Sequence, residues 1–141
     1  MARAWHYYPV TVFAILWHAV LVLDYLALRL ELAFYTSSFT PDQLAWFQSM
    51  PLWMALAWAV AVWSGVLATL LLLVRSGATG SVFALSVLGW IVAGLGLVVL
   101  RDPPALAVTG WLGLSMLALS VVVALALFLY ARAMHARLRY D

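Results

Sequence analysis

Two residues suited to acid–base or ion chemistry, His18 and Asp24, lie inside one long apolar run near the N-terminus. If the run is a helix, six positions separate them by about 9 Å along the axis. At about 100° per residue their side chains diverge by about 120°, so they do not form a pair on one ridge. Tyr25 shares the His18 face at i+7, and Glu31 shares the Asp24 face at i+7. An acidic line from the surface toward His18 follows from this spacing, the arrangement a proton path or cation site uses. Structural roles stand beside that reading. Asp24 lies close enough to the end of the run for water, Arg29 or a neighbouring loop to satisfy it. His18 can bond a carbonyl or a Ser/Thr hydroxyl on another helix.

Other chemistries lack their parts. A bis-His haem needs two histidines on one cavity, but His6 and His135 fall near or beyond the ends of the apolar runs. A retinal Schiff base needs lysine, and the chain has none. Neither H-E-x-x-H nor G-x-S-x-G occurs, and zero Cys excludes disulfides, thiol redox chemistry, Cys-ligated zinc and iron–sulfur clusters. No cofactor and no metal site is expected, and an enzyme is disfavoured.

The elements that must position His18 and Asp24 follow from composition. The 141 residues are 68% hydrophobic and 9% charged, with mean hydropathy +1.10. A soluble domain has nearer a quarter of its residues charged. The charges, seven Arg and five acids for a net +2, are also too scattered for nucleic-acid binding. An integral membrane protein is implied, with the lipid bilayer as its first partner.

A crossing helix needs about 20 mostly apolar residues. Four stretches qualify, at about 10–30, 51–74, 81–100 and 105–131. The reading is a single transmembrane domain, an all-α integral membrane four-helix bundle with short loops. The first stretch reads as a retained span, because Asp24 interrupts it and no A-x-A cleavage site follows. Asp at a helix centre opposes insertion by about 2.5–3.5 kcal/mol, which the surrounding Val, Leu, Ile and Phe offset at about 0.3–0.6 kcal/mol each. Asp24 should therefore face the bundle or water.

Four spans put both termini on one side, with Arg3, Arg75, Arg132, Arg137 and Arg139; the other side has Arg29 and Arg101. The bias predicts cytoplasmic termini in a bacterial-type inner membrane. Arg132, Arg137 and Arg139 read as an anchor to anionic lipid. In the longer first connection, Thr40-Pro41-Asp42-Gln43 reads as a helix start, with Thr as N-cap and Pro at N1. Leu44, Trp46 and Phe47 give that short helix an apolar side. It is expected to lie in the outer interface, as a lid over the bundle or as a gate.

Lipid does not drive helices together by hydrophobicity, so small residues and polar groups must do so. Rows at helical spacing are Ala57, Ala61, Ser64 and Ala68 in the second span and Ser86, Gly89, Ala93 and Gly96 in the third. Thr109, Gly113, Ser120 and Ala124 nearly align in the fourth. Trp5, Tyr7, Tyr8, Trp46, Trp53 and Tyr130 fit an interfacial aromatic belt. Trp17, Trp58, Trp63 and Trp90 lie deeper, to fill the bundle or to meet protein, lipid or pigment. No internal repeat marks an inverted-repeat transporter.

One set of motifs carries a resemblance over roughly the first half of the chain. Leu16-Trp17-His18 with Asp24-Tyr25 is followed by Thr40-Pro41-Asp42-Gln43-Leu44, Met50-Pro51-Leu52-Trp53 and a Trp58 to Leu67 segment leading to Arg75. Together they resemble small four-span bacterial inner-membrane proteins often called "sugar transporter". The chain departs from that pattern at His18, where Asn is expected, and at Ala68.

Two functions stay open. One is a non-catalytic accessory or assembly subunit of a larger membrane complex, respiratory or photosynthetic, with other membrane subunits or self-association as partners. The other is a small proton-coupled solute transporter using Asp24 and His18, since four spans with a first-helix acid resemble small multidrug-resistance exporters. The marked Arg bias opposes the dual topology of some of those exporters.

Overall fold

The computed structural model describes the backbone of residues 4–140 and the side chains of residues 4–137; the side chains of Arg3 and Arg139 lie outside the described residues. Those residues form helices and no strand. The long ones are α1 (Tyr7–Arg29), α4 (Leu52–Leu73), α5 (Thr79–Leu95) and α6 (Ala105–Tyr140), with α2 (Ala33–Thr36) and α3 (Pro41–Gln48) in the first connection. A single π-helical stretch, Gly96–Leu100, extends α5. All four long elements are long and apolar enough to cross a membrane. The protein is a multi-pass, all-α four-helix bundle.

α1 packs on α4, α4 most extensively on α5, and α5 on α6. At the end that holds both termini, the first and last helices also meet: Tyr7 shares a core cluster with Leu127 and Ala131, and His6 Nδ1 lies 2.9 Å from the Tyr130 hydroxyl. The Tyr7 hydroxyl donates to Leu72 O, and the Arg75 guanidinium stands 4.9 Å from the Tyr7 ring centroid. A second cluster, toward the opposite end, is built on Leu21, Leu28, Trp58, Val62, Trp90 and Ala93.

The small-residue rows explain the closest seam. A Cβ on Gly89 would fall 2.7 Å from Ala61 N and 2.9 Å from Ala57 O, so the α4 and α5 backbones touch where no side chain could stand. Ser86 Oγ donates to Ala61 O at 2.6 Å across the same seam. Ser64, Ala68 and Ala93 are buried, and Ala57 is half-buried. At Gly96 a Cβ would meet the side chains of Met54 and Trp53.

The fourth row is only partly a helix contact. Ser120 and Ala124 are buried, but Gly113 is half-buried and its nearest neighbours belong to Thr109 of the same helix. Gly110 is the cause: at φ 69° and ψ −167° it breaks the helical path in a region that only glycine enters readily. The fourth crossing expected at 105–131 lies within the apolar helix Ala105–Arg137, kinked at Gly110. From Trp111 to Arg132 the helix is about 32 Å long, enough to cross by itself. Residues 105–109 form a helical turn before the kink, tied to α3 by the bond from Gln43 to Val108 O.

Candidate functional site

His18 is 4% exposed, and helices on both sides of it supply its surroundings. Nδ1 lies 2.8 Å from Ala14 O and 3.1 Å from Thr69 Oγ1. A carbonyl only accepts, so Nδ1 carries the proton. The Thr69 hydroxyl donates to Gly65 O at 2.9 Å, which leaves its oxygen to accept from His18. The other edge of the ring lies on Gly65, where a Cβ would fall 2.7 Å from His18 Cδ2 and 3.1 Å from Ser86 Oγ. Phe83 lies against the ring, with centroids 6.2 Å apart. Glycine at 65 is thus the condition for an imidazole between α1, α4 and α5.

Asp24 sits half-buried about one and two-thirds turns further along, on a different face, and accepts a hydrogen bond from the Tyr35 hydroxyl. Tyr35 comes from α2 in the connection, not from another span. Burial pushes the Tyr35 phenol above its ordinary range; the hydrogen bond to Asp24 and the nearby negative charge act in the same direction. Tyr35 also packs on Phe39, which packs on Phe47, so the acid is joined to the aromatic underside of the connection.

The acidic line expected from Glu31 through Asp24 toward His18 does not form. α1 stops at Arg29, and Glu31 has a left-handed backbone at φ 52°. Its side chain is exposed and no longer follows the Asp24 face. Tyr25 is half-buried and packs edge-on against Trp58 and Trp63, with centroids 4.8 Å and 5.9 Å away. Its helix position matches the spacing argument, but its contacts are indoles.

The tryptophans divide. Trp58 and Trp90 are buried and fill the bundle, whereas Trp63 is exposed on the outer face of α4. Trp46, expected in the interfacial belt, packs against the protein itself. It is 6% exposed and donates from Nε1 to Pro103 O at 2.8 Å. Tyr7 is likewise buried rather than interfacial.

Trp46 belongs to a polar lock that joins the connection to the bundle. The expected capping box is present: Thr40 Oγ1 accepts from Gln43 N, and Gln43 Oε1 accepts from Thr40 N. Gln43 Nε2 also donates to Val108 O at 3.0 Å. From the other side, Arg101 donates to Trp46 O at 2.6 Å and to Ser49 O at 2.9 Å. These are carbonyls at the α3 C-terminus, where a cation is favoured. Its guanidinium carbon stands 4.8 Å from the Trp46 ring centroid. This lock and the partners Thr69 and Tyr35 were not read from the sequence. Each bond joins segments far apart in the chain or lies between a span and a loop, where periodicity carries no signal.

At the terminal end, Arg132 and Arg137 are exposed. Arg132 stands 5.8 Å from the Phe128 ring centroid. Beside it runs a half-open groove of about 830 Å³ between the start of α5 and the last turns of α6. Among the described residues, no three His, Cys, Asp or Glu side chains gather as a metal site would require. Comparison with family models, curated proteins and solved structures finds no match.

Proposed function

We propose that the chain is a non-catalytic membrane subunit, an accessory or assembly component of a larger membrane complex, in a bacterial-type inner membrane with both termini cytoplasmic. One observation carries the reading: the polar groups that the sequence puts within the spans bond back onto this chain. His18 bonds Ala14 and Thr69, Ser86 bonds Ala61, and Asp24 bonds Tyr35. Ser64 and Ser120 bond the carbonyls of Val60 and Met116, one turn earlier in their own helices. A carrier site needs groups that exchange partners with a passing ion. Here Ser86, His18 and Asp24 tie helices to each other or to the connection, and Ser64 and Ser120 are taken up by their own helices.

The outer surface supports the same reading. Trp63 and Trp53 leave large aromatic area on the outside of the bundle, which neighbouring helices can cover as well as lipid can. The Arg asymmetry supports the orientation: Arg75, Arg132 and Arg137 lie at the terminal end, whereas Arg101 at the other end is taken up by α3.

The test is affinity capture of the chain at native expression level from mildly solubilised membranes, followed by native electrophoresis and identification of what migrates with it. A defined complex in stoichiometric amount is expected. Recovery of the chain alone, together with proton-coupled solute flux in proteoliposomes that Asp24→Asn abolishes, would replace this reading by a transporter.

A further inference from the structure

We infer that the groove between α5 and α6 at the terminal end is a binding site for one anionic phospholipid, which it holds by the phosphate and the upper part of an acyl chain. The groove changes character along its length. Phe128 and Ala84 line it on the membrane side, while Arg132, His135 and Ser81 line it toward the water. Phe128 and His135 are seven residues apart on one helix, about 10 Å along the axis. That is the distance over which the bilayer passes from hydrocarbon to headgroup, and the groove sits at that level. α5 begins at Thr79, and Arg132 is the first charged residue of α6 after 27 uncharged positions from Ala105. A soluble anion would match only the water-side half; a lipid matches both.

Packing keeps the groove open and its basic groups in place. Gly80 gives it a floor without a side chain: a Cβ there would fall 3.4 Å from Arg132 Cγ. Gly77, in the turn before α5, lets the His135 ring approach, with Cε1 3.2 Å from where a Cβ would stand. The Arg132 guanidinium carbon stands 5.8 Å from the Phe128 ring centroid and the residue is exposed, so its charge lies at the mouth beside the apolar half of the groove. A volume of about 830 Å³ is in the range of small-molecule sites. This site differs from a general basic anchor, because it assigns the lipid to Arg132 and not equally to every terminal Arg.

Native mass spectrometry of the detergent-solubilised full chain, titrated with phosphatidylglycerol, phosphatidylcholine or inorganic phosphate, tests the assignment. One phosphatidylglycerol retained in preference to phosphatidylcholine is expected. Arg132→Gln should reduce that preference about fivefold, equivalent to the ~1 kcal/mol one basic residue contributes at an anionic surface. Arg137→Gln, at the same end but outside the groove, should leave it within about twofold. Ala84→Trp, which fills the apolar half, should remove retention of both lipids, and Ala136→Trp at the rim serves if that variant fails to fold. Equal losses from Arg132→Gln and Arg137→Gln would reduce the site to diffuse attraction and overturn the proposal. Displacement of the lipid by inorganic phosphate at equal concentration would also overturn it, in favour of a soluble-anion site.

Discussion

Arg101 and Arg132 stand at opposite ends of the bundle, each with its guanidinium over an aromatic ring, Trp46 in one case and Phe128 in the other. Arg101 is half-buried, and its donors reach the carbonyls that end α3. Arg132 is exposed at the mouth of an open groove. The same residue type therefore closes one end and leaves the other accessible. The difference comes from what the preceding chain supplies. A 22-residue stretch between α1 and α4 folds over the first end, whereas the turn between α4 and α5 is too short to cover the second.

The largest expected effect tests that contrast directly. Arg101→Met removes charge-assisted bonds worth about 1.5–3 kcal/mol each to the Trp46 and Ser49 carbonyls, leaving Trp46 O only the Ser49 hydroxyl as side-chain donor. A loss of about 3 kcal/mol in reversible detergent unfolding is expected, with Trp46 fluorescence shifting toward that of an exposed indole. Arg132→Gln should stay within about 0.5 kcal/mol, as surface changes usually do. Equal losses from the two variants would abolish the distinction between the ends.

Gly89→Ala probes the seam that both ends share. Its methyl would fall 2.7 Å from Ala61 N, and overpacking of this kind typically removes about 1–3 kcal/mol. Because backbone atoms oppose it, no rotamer change relieves the clash. Both ends should loosen together, read as a common fall in the unfolding midpoint for Trp46 and for a probe at the terminal end. A fall confined to one end would show that the ends are not joined through α4 and α5.

A smaller effect is confined to the lid. Thr40→Ala breaks the capping box of α3 and should lose about 1 kcal/mol. It should leave lipid retention at the far groove unchanged. Hydrogen exchange should quicken in α3 first, since a helix of 8 residues depends on its caps and its docking. Quickening in α5 instead would mean that α3 supports more of the bundle than the lock to residues 101–108.

What could be read in advance divides along the same line as the two ends. The four crossings, the Thr40 cap and the Gly89 row are local or periodic, and each appears where helical spacing puts it. The separation of His18 from Asp24 also follows from spacing. Periodicity fails where the chain leaves its helix: Glu31 does not follow the Asp24 face because α1 stops at Arg29. Residue type suggests the belt for Trp46 and carries no sign of its long-range contacts with Pro103 and Arg101. Spacing does not single out Thr69 or Tyr35, because one stands just before the Leu70–Leu73 run and the other in a connection, with no pattern linking either to α1. Those partners place His18 between α1 and α4 and Asp24 against the connection, on two separate sets of contacts.

Tyr35 gives the smallest effect and tests whether Asp24 belongs to the closed end. Its phenol is held above the ordinary value of about 10 by burial first, and then by the Asp24 bond and charge. A group whose folded value is raised contributes stability that is complete below the unfolded value and is lost as pH rises through the folded one. The Tyr35–Asp24 tie should thus be intact at neutral pH and weaken only in strongly alkaline solution. In a phenolate absorbance titration, Tyr35→Phe should remove the last tyrosine component to ionise. Asp24→Asn should bring that component down toward the ordinary range, because the charge is gone while burial remains, and should leave neutral-pH stability within about 1 kcal/mol, since the amide oxygen still accepts. A Tyr35 component that does not move in Asp24→Asn would show that Asp24 spends its time on another partner, and would return it to the candidates for ion movement.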